Sequence, residues 1–468
     1  MSATDYTAAH GFSQLLRYQN NYPALGTGVL LLVEQSHNLL GPVVPDALLQ
    51  YQSAYQINLF GDYPDSQDDV PSAIFAAIFA ILMFLHLLIF MINISRKHRF
   101  WLSLGWVFYC LMRVIGFILR IIWGKDLSKT KIGITDEVFL ILPSILLTSL
   151  NLILAQRIFT WRHPVGGSRR LFWNFMITLY VVVLGVIALT IACAASPYVH
   201  FLSQKNYLRY QKAVQASAVL IVLYSLTAIS LLALAYFFKP TRKDENLYTY
   251  QPWWIESFKT FYFVKKNAVR EAEETFMKRN HNHRHAIRVI AATHHHYNTV
   301  EGLTNERGDL THNTSLWIIC ITTLLIFVGS ICRCITVFQG RYQKNSSKLC
   351  APVAMYICWG LFETVINLLY IIGRVDLRFY RPDRLPKKVR SIITAEQSLE
   401  HSDEEYEYYT TETETEGEYD LEDDDFGFYQ PRNTYNNRDS EPRRDPNRDK
   451  FILEAKEEDE SDSEEFHF

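Results

Sequence analysis

The sequence predicts an all-α integral membrane protein, a bundle of seven transmembrane helices followed by a disordered acidic C-terminal tail. Three observations carry that prediction. Of 468 residues 49% are hydrophobic, yet they gather in seven stretches of about 20 or more that are almost free of charge. The net charge of −3 hides a cancellation, because residues 1–390 carry 39 basic and 22 acidic side chains whereas 391–468 carry 7 and 27. None of the apolar stretches alternates with period 2 as a membrane β-barrel strand would, and in lipid a helix satisfies its own backbone. A soluble globular protein is excluded.

Residues 1–71 read as an outer N-terminal segment. It has no basic opening followed by a short apolar core, so no cleavable signal peptide is expected. Its run 28–33 is too short to cross a membrane and reads as a short amphipathic element. Spans 1–5 follow within 72–238, at Ser72–Ile94, Trp101–Trp123, Glu137–Gln156, Leu171–Ala195 and Ala213–Phe238. Spans 6 and 7 lie within 315–373, at Ser315–Phe338 and Cys350–Gly373. With a rise of about 1.5 Å per residue, each bridges a hydrocarbon layer of about 30 Å. Pro143 is tolerable in span 3 because neighbouring helices re-satisfy the backbone group it frees. Trp101, Trp123 and Trp317 fall at span ends, where an interfacial aromatic belt would hold them.

Orientation follows from Lys and Arg beside the spans: 14 on the side of the 1–2 and 3–4 loops and the stretch after span 7, against 9 on the other. This bias places the C-terminus in the cytosol and the N-terminus outside or in a lumen, in the plasma membrane or another endomembrane. All seven cysteines lie in or beside spans, which excludes a disulfide-stapled ectodomain. A bridge among Cys332, Cys334 and Cys350 is the alternative to plain buried thiols.

An ionisable side chain at the centre of a membrane helix costs about 2.5–3.5 kcal/mol and therefore needs a partner or a wet cavity. Arg113 and Glu363 fall near the middle of spans 2 and 7 and are expected to pair. Arg120 lies two turns from Arg113 on nearly the same face, and Arg333 in the outer third of span 6. Span 7 continues the pattern with Glu363, Asn367, Tyr370 and Arg374, span 6 with Thr322, Gly329 and Arg333, and span 3 with Ser144, Thr148 and Asn151. His86 reads as a hydrogen-bonded interior histidine. Two readings of these stripes stand. In one they are glue between helices. In the other they line a ligand pocket or pathway in the outer half of the bundle, where three arginines against one glutamate leave positive charge for a phosphate or carboxylate head group.

The cytoplasmic loop 239–314 holds 12 basic and 9 acidic residues and 7 of the 15 histidines. Trp253, Trp254, Phe258, Phe261, Ala268, Ala272 and Phe276 recur at helical spacing, which predicts an amphipathic helix on the inner membrane surface or against the span ends. Beyond it His281, His285, His294, His295 and His296 are candidate metal ligands, the first two sharing a helical face. Arg284 and Arg288 interrupt them and no acid lies between the two clusters, so a basic surface is the favoured reading. The basic juxtamembrane segment 374–390 leads to the low-complexity acidic tail 391–468, which has too few apolar residues to build a core. There Ser402, Ser461 and Ser463 precede acidic residues and are candidate phosphorylation sites for acidophilic kinases. The expected partners are the lipid bilayer, its anionic head groups and a cytoplasmic protein docking on the loop or tail. No cofactor and no nucleic acid is expected.

Three stretches carry a family resemblance: Asn151–Arg157 with the sequence NLILAQR, Glu271–Gly308 with the histidine clusters, and Gly373–Phe379 with the sequence GRVDLRF. Through them the chain resembles, from Ser72 to Asp383, a fungal family of multi-span membrane proteins catalogued only as a domain of unknown function. The resemblance implies a fungal seven-span protein and no activity or catalytic residues. An outer N-terminus, seven helices, a long loop between spans 5 and 6 and a charged tail point to a non-enzymatic receptor- or sensor-like protein. The marks of rhodopsin-like receptors are missing, since Ala155-Gln156-Arg157 has no acid before the arginine and span 7 has no Asn-Pro-x-x-Tyr. The alternatives are a lipid or small-solute translocator and, with least support, a metal-dependent membrane enzyme built on the histidine clusters.

Overall fold

Long apolar runs form long helices even where Pro143 or Gly116 lies within them, and the polar residues flanking the runs extend the helices further than hydropathy alone suggests. A computed structural model describes residues 3–163, 170–238, 255, 257–268 and 312–380, all within the first of the chain's two units, Met1–Leu399. Among these, seven helices are long and apolar enough to cross a membrane: Ser66–Ser95, Leu102–Lys125, Thr130–Thr160, Arg170–Val199, Gln204–Phe237, Asn313–Gln339 and Pro352–Ile372. The number matches the prediction; the ends do not. Span 3 begins seven residues before Glu137 and span 1 six before Ser72, so Asp68, Asp136 and Glu137 all ride on the ordered ends of spans. The loop histidines His281, His285, His294, His295 and His296 and the tail serines Ser402, Ser461 and Ser463 lie outside the described residues.

Spans 1, 2 and 3 pack as consecutive antiparallel neighbours, spans 5 and 6 lie against span 3, and span 7 closes on spans 1 and 6. Phe79, Tyr109, Phe117, Leu140, Leu147 and Ile366 meet in the core they enclose, each without exposure. Pro143 withholds the amide that would bond the Phe139 carbonyl, and Gly116 of span 2 lies against that carbonyl. A Cβ on Gly116 would sit 3.2 Å from the Phe139 oxygen, so glycine lets these two helices approach. Around the outside, Leu184 (65% exposed), Phe84 (63%), Ile81 (60%) and Leu324 (55%) are among many large apolar side chains that the bundle leaves uncovered.

One end of the bundle carries a cap. Helices Ala3–Gln19, Val29–Leu40 and Asp46–Ala54 precede span 1, and the chain around them bonds to the turns between later spans. The Ala24 amide donates to Leu202 at 2.9 Å and Gly28 to Pro197 at 2.7 Å, tying the cap to the 4–5 turn. Asn58 donates to Arg341 and Gln343 to Gln56, both at 2.9 Å, tying it to the 6–7 turn. The expected belt residue Trp123 is buried at this end, its ring edge-on to Tyr63 at 5.5 Å, whereas Trp101 and Trp317 are exposed. All seven cysteines are free thiols; Cys350 accepts a hydrogen bond from Asn58 at 3.0 Å and does not bridge to Cys332 or Cys334.

The opposite end is crossed by a strap, residues 257–268, for which the sequence predicts part of an amphipathic helix. Up to Asn267 they run instead as turns and extended chain, with Val264 buried and Phe261 exposed to solvent. The reason is a set of arginines that compete for the carbonyls a helix would use. Arg96 Nη1 donates to Val264 at 3.2 Å, and Arg374 Nη1 donates to Thr260 at 3.1 Å and to Tyr262. Guanidiniums also stack on the strap's aromatic rings, Arg374 over Phe263 at 4.8 Å and Arg378 over Phe258 at 4.9 Å. Trp253, Trp254, Ala272 and Phe276 lie outside the described residues.

Candidate functional site

Three buried ion pairs follow one another along the bundle. The middle one joins Arg113 and Glu363, as their depth in spans 2 and 7 predicts. Arg113 Nε donates to Glu363 Oε2 at 2.5 Å and Nη2 donates to Oε1, a bidentate pairing. Tyr109 donates to Oε2 and Ser144 to Oε1 at 2.8 Å, while Arg113 Nη1 donates to the Leu140 carbonyl at 2.6 Å. The guanidinium also lies over the Trp359 ring, 5.3 Å from its centroid. Immediately before Glu363, residues Tyr356–Phe362 form a π-helical turn, a wider winding that resets which side of span 7 the following residues face. Gly360 within it lies flat against Phe75, since a Cβ there would come within 2.6 Å of that ring.

Asn367 and Tyr370 continue along the same face. Asn367 Oδ1 lies 3.2 Å from His86 Nε2, so the histidine is hydrogen-bonded as expected. Tyr370 donates to Asn151 Oδ1 at 2.6 Å, and Asn151 Nδ2 donates to Thr322 at 2.9 Å, which joins spans 3, 6 and 7. Arg374 leaves the stripe. Its backbone is left-handed, φ +47°, and the side chain turns out of the helix to form a bidentate pair with Asp376, 2.9 Å from Nε to Oδ1 and 2.7 Å from Nη2 to Oδ2. Asp376 also accepts from Asn93 of span 1 at 2.8 Å, and its carbonyl lies 3.1 Å from His98 Nε2. This far-end clamp is thus an anchor for the strap, and Arg374 is not the surface charge its place in a basic segment suggests. Burial alone would raise the Asp376 carboxyl, but the hydrogen bonds and charge of Arg374 outweigh it and hold the group below its ordinary value. Burial is also the largest influence on His98 and pushes the imidazole below its ordinary value.

At the cap end the third pair gives Arg120 an acidic partner that the sequence reading did not include. Arg120 Nη2 donates to Asp68 Oδ2 at 2.9 Å and to the Gly61 carbonyl at 2.5 Å. Arg120 lies within electrostatic reach of Asp136 and Glu137, and Glu137 within reach of Arg333. Two guanidiniums therefore stand near Asp68, Asp136 and Glu137, and Arg120 Nε and Nη1 have no hydrogen-bond partner among the described residues. The sequence reading missed Asp68 and Asp136 because they sit just beyond the hydropathy windows. Asp136 has no exposure, and neither of its carboxylate oxygens has a hydrogen-bond partner among the described residues. Glu137 Oε1 is unpartnered as well. Among the described residues no three His, Cys, Asp or Glu side chains cluster closely enough to hold a metal ion.

Glu137 lines a cavity of about 80 Å³ between spans 3 and 4. Ile134, Ile141, Ile187 and Ala194 form its apolar walls, Trp123 and Tyr198 add aromatic ones, and Leu59 of the cap borders it. Sequence reading gave no signal for this cavity, since its lining is mostly ordinary apolar residues from four separate elements, the cap and spans 2, 3 and 4.

A family model described as "Protein of unknown function (DUF3112)" matches residues 164–380, under half of the chain, so the chain is similar to that family over spans 4–7 and the loop. The match begins after span 3 and leaves Asn151–Arg157, one of the three stretches behind the sequence resemblance, outside it. No curated protein and no solved structure matches the chain significantly.

Proposed function

We propose that the chain is a multi-pass integral membrane protein of receptor or sensor type, fungal by its resemblance, that performs no chemistry on its ligand. In this reading the cap lies outside or in a lumen and the C-terminus in the cytosol. The supporting observation is the continuous series of ion pairs. Arg120 and Arg113 stand on one face of span 2, Arg113 grips Glu363 of span 7, and span 7 ends in the Arg374–Asp376 clamp that fastens the strap. A chain of packed, charge-locked elements of this kind transmits a change at one end to the other when it has two arrangements. At mid-depth both Arg113 and Glu363 are fully engaged, which leaves them no free valence for acid–base or nucleophilic work. The bilayer's anionic head groups and a cytoplasmic protein are the proposed partners of the basic loop and acidic tail.

One observation favours a translocator of lipid or small solutes as the second reading: the π-helical turn of span 7 and Pro143 of span 3 flank the same ion pair, and both are places where helices bend. Reconstitution in liposomes separates the two. A receptor moves no reporter lipid above the protein-free rate, whereas transfer abolished by Glu363→Ala and by Arg113→Ala establishes translocation. Purification with stoichiometric zinc or iron would revive the enzyme reading of the histidine clusters.

A further inference from the structure

We propose that the strap is a docking surface for anionic phospholipid, with the Phe261 ring seated at the bilayer edge and Lys97, Lys259 and Lys266 on the head-group phosphates. The proposal deepens the head-group partnership of the proposed function and rests on that reading only for which leaflet the strap meets. The depth follows from how the strap is tied down. Thr260 Oγ1 donates at 3.5 Å to the carbonyl of Ile372, the last residue of span 7, and Arg374 Nη1 donates to the carbonyls on either side of Phe261, those of Thr260 and Tyr262. A segment held to the end of a span lies at the boundary between hydrocarbon and head groups. Ile372 is 58% exposed there, and Trp101 before span 2 and Trp317 in the first turns of span 6 are exposed on the same side. Phe261 is 91% exposed at that level, where acyl chains and head groups rather than water cover an aromatic ring.

The head group follows from charge. Lys97, Arg99, Arg170, Lys259, Lys265 and Lys266 are exposed at this end, whereas its one acid among the described residues, Asp376, is buried and paired with Arg374. At the cap end exposed acids such as Glu34, Asp46 and Asp65 intermix with the cations, so the asymmetry belongs to the strap end. Arg96, Arg374 and Arg378 are engaged with backbone carbonyls and aromatic rings, which leaves the lysines and Arg99 for phosphates. Residues 391–468, with 27 acidic and 7 basic side chains, are the other anion this chain supplies. Lipid is favoured over them because the bilayer is already present at the depth of Phe261 and covers the ring and the lysines together.

The test replaces Phe261 by photoreactive p-benzoylphenylalanine in the full-length protein, held in nanodiscs of equal parts phosphatidylcholine and phosphatidylserine, and identifies the adducts formed on irradiation by mass spectrometry. The same replacement at Phe84, exposed midway along span 1, is the reference for lipid contact within the apolar belt. The expected result is lipid adducts at position 261 in which phosphatidylserine is enriched at least about twofold over the reference, an enrichment lost in about 1 M salt and in the combined variant Lys97→Gln, Lys259→Gln, Lys266→Gln. All three lysines are exposed, so their replacement leaves the fold in place. Adducts to residues 391–468 in place of lipid would make the tail the occupant and overturn the proposal, as would no adduct at 261 while the reference reacts. Phosphatidylserine at the reference level, or enrichment that survives the combined variant, overturns the assignment of anionic head groups to these lysines. Both leaflets of such nanodiscs have the same composition, so an inverted orientation would overturn the topology of the proposed function and leave these results unchanged.

Discussion

Arg113 makes four hydrogen bonds, two to Glu363, one to the Leu140 carbonyl and one to Ser144 at 2.7 Å, so its value to the fold lies in completeness. Removing either partner leaves a buried charge alone: Arg113→Ala or Glu363→Ala is expected to cost about 3–5 kcal/mol, seen as a lowered Tm in detergent. The double replacement Arg113→Met with Glu363→Leu is expected to recover most of that loss, and a double variant as unstable as the summed singles would contradict the pairing. Asp136 is the contrast. Since its carboxylate has no donor among the described residues, Asp136→Asn removes no hydrogen bond and is expected to change stability by less than about 1 kcal/mol. A larger loss would mean that its charge holds Arg120 in place. The middle pair was legible in the sequence because counting along two helices gives depth. Its cap-end counterpart was not, since a hydropathy window stops at the first polar residue whereas the helix continues.

The strap shows how an element's environment overrides its periodicity. Aromatic residues at helical spacing predict an amphipathic helix, yet Arg96 and Arg374 take its carbonyls and hold residues 257–267 in an irregular path. From one sequence, the carbonyl partners of an arginine cannot be read. The clamp's protonation gives this element a pH dependence with a definite sign. His98 has its ionisation pushed down, so the stability it lends is full above its ordinary 6.5 and declines as pH falls below that. Asp376 is likewise held low, so its contribution is full above its ordinary 3.8 and declines as pH falls below that. The protection of amides in residues 257–268, measured against the intrinsic exchange rate at each pH, is therefore expected to fall on acidification from pH 7 to pH 4, and protection that held or rose would contradict the clamp. At the contact between spans 2 and 3, Gly116→Leu is expected to cost about 1–3 kcal/mol by forcing the helices apart at Phe139, measured as Tm.

At the scale of the molecule, the count of seven helices and their all-α character were plain in the sequence, because a run of twenty uncharged apolar residues has few other uses. The cap was not. Its helices are short and weakly amphipathic, and they are fixed by backbone bonds to the 4–5 and 6–7 turns, contacts between residues more than a hundred positions apart. Those bonds place residues 24–61 and both turns at one end, and the strap with Arg96, Arg374 and Arg378 at the other. A chain whose seven candidate helices all cross would have its two ends in different compartments. The most direct measurement is protease protection of sealed vesicles from cells making the protein with distinct N- and C-terminal tags, after a carbonate wash. The account predicts that the polypeptide stays with the membrane and that protease added outside removes one tag and spares the other. Loss of the protein in carbonate, or cleavage of both tags in sealed vesicles, would contradict it.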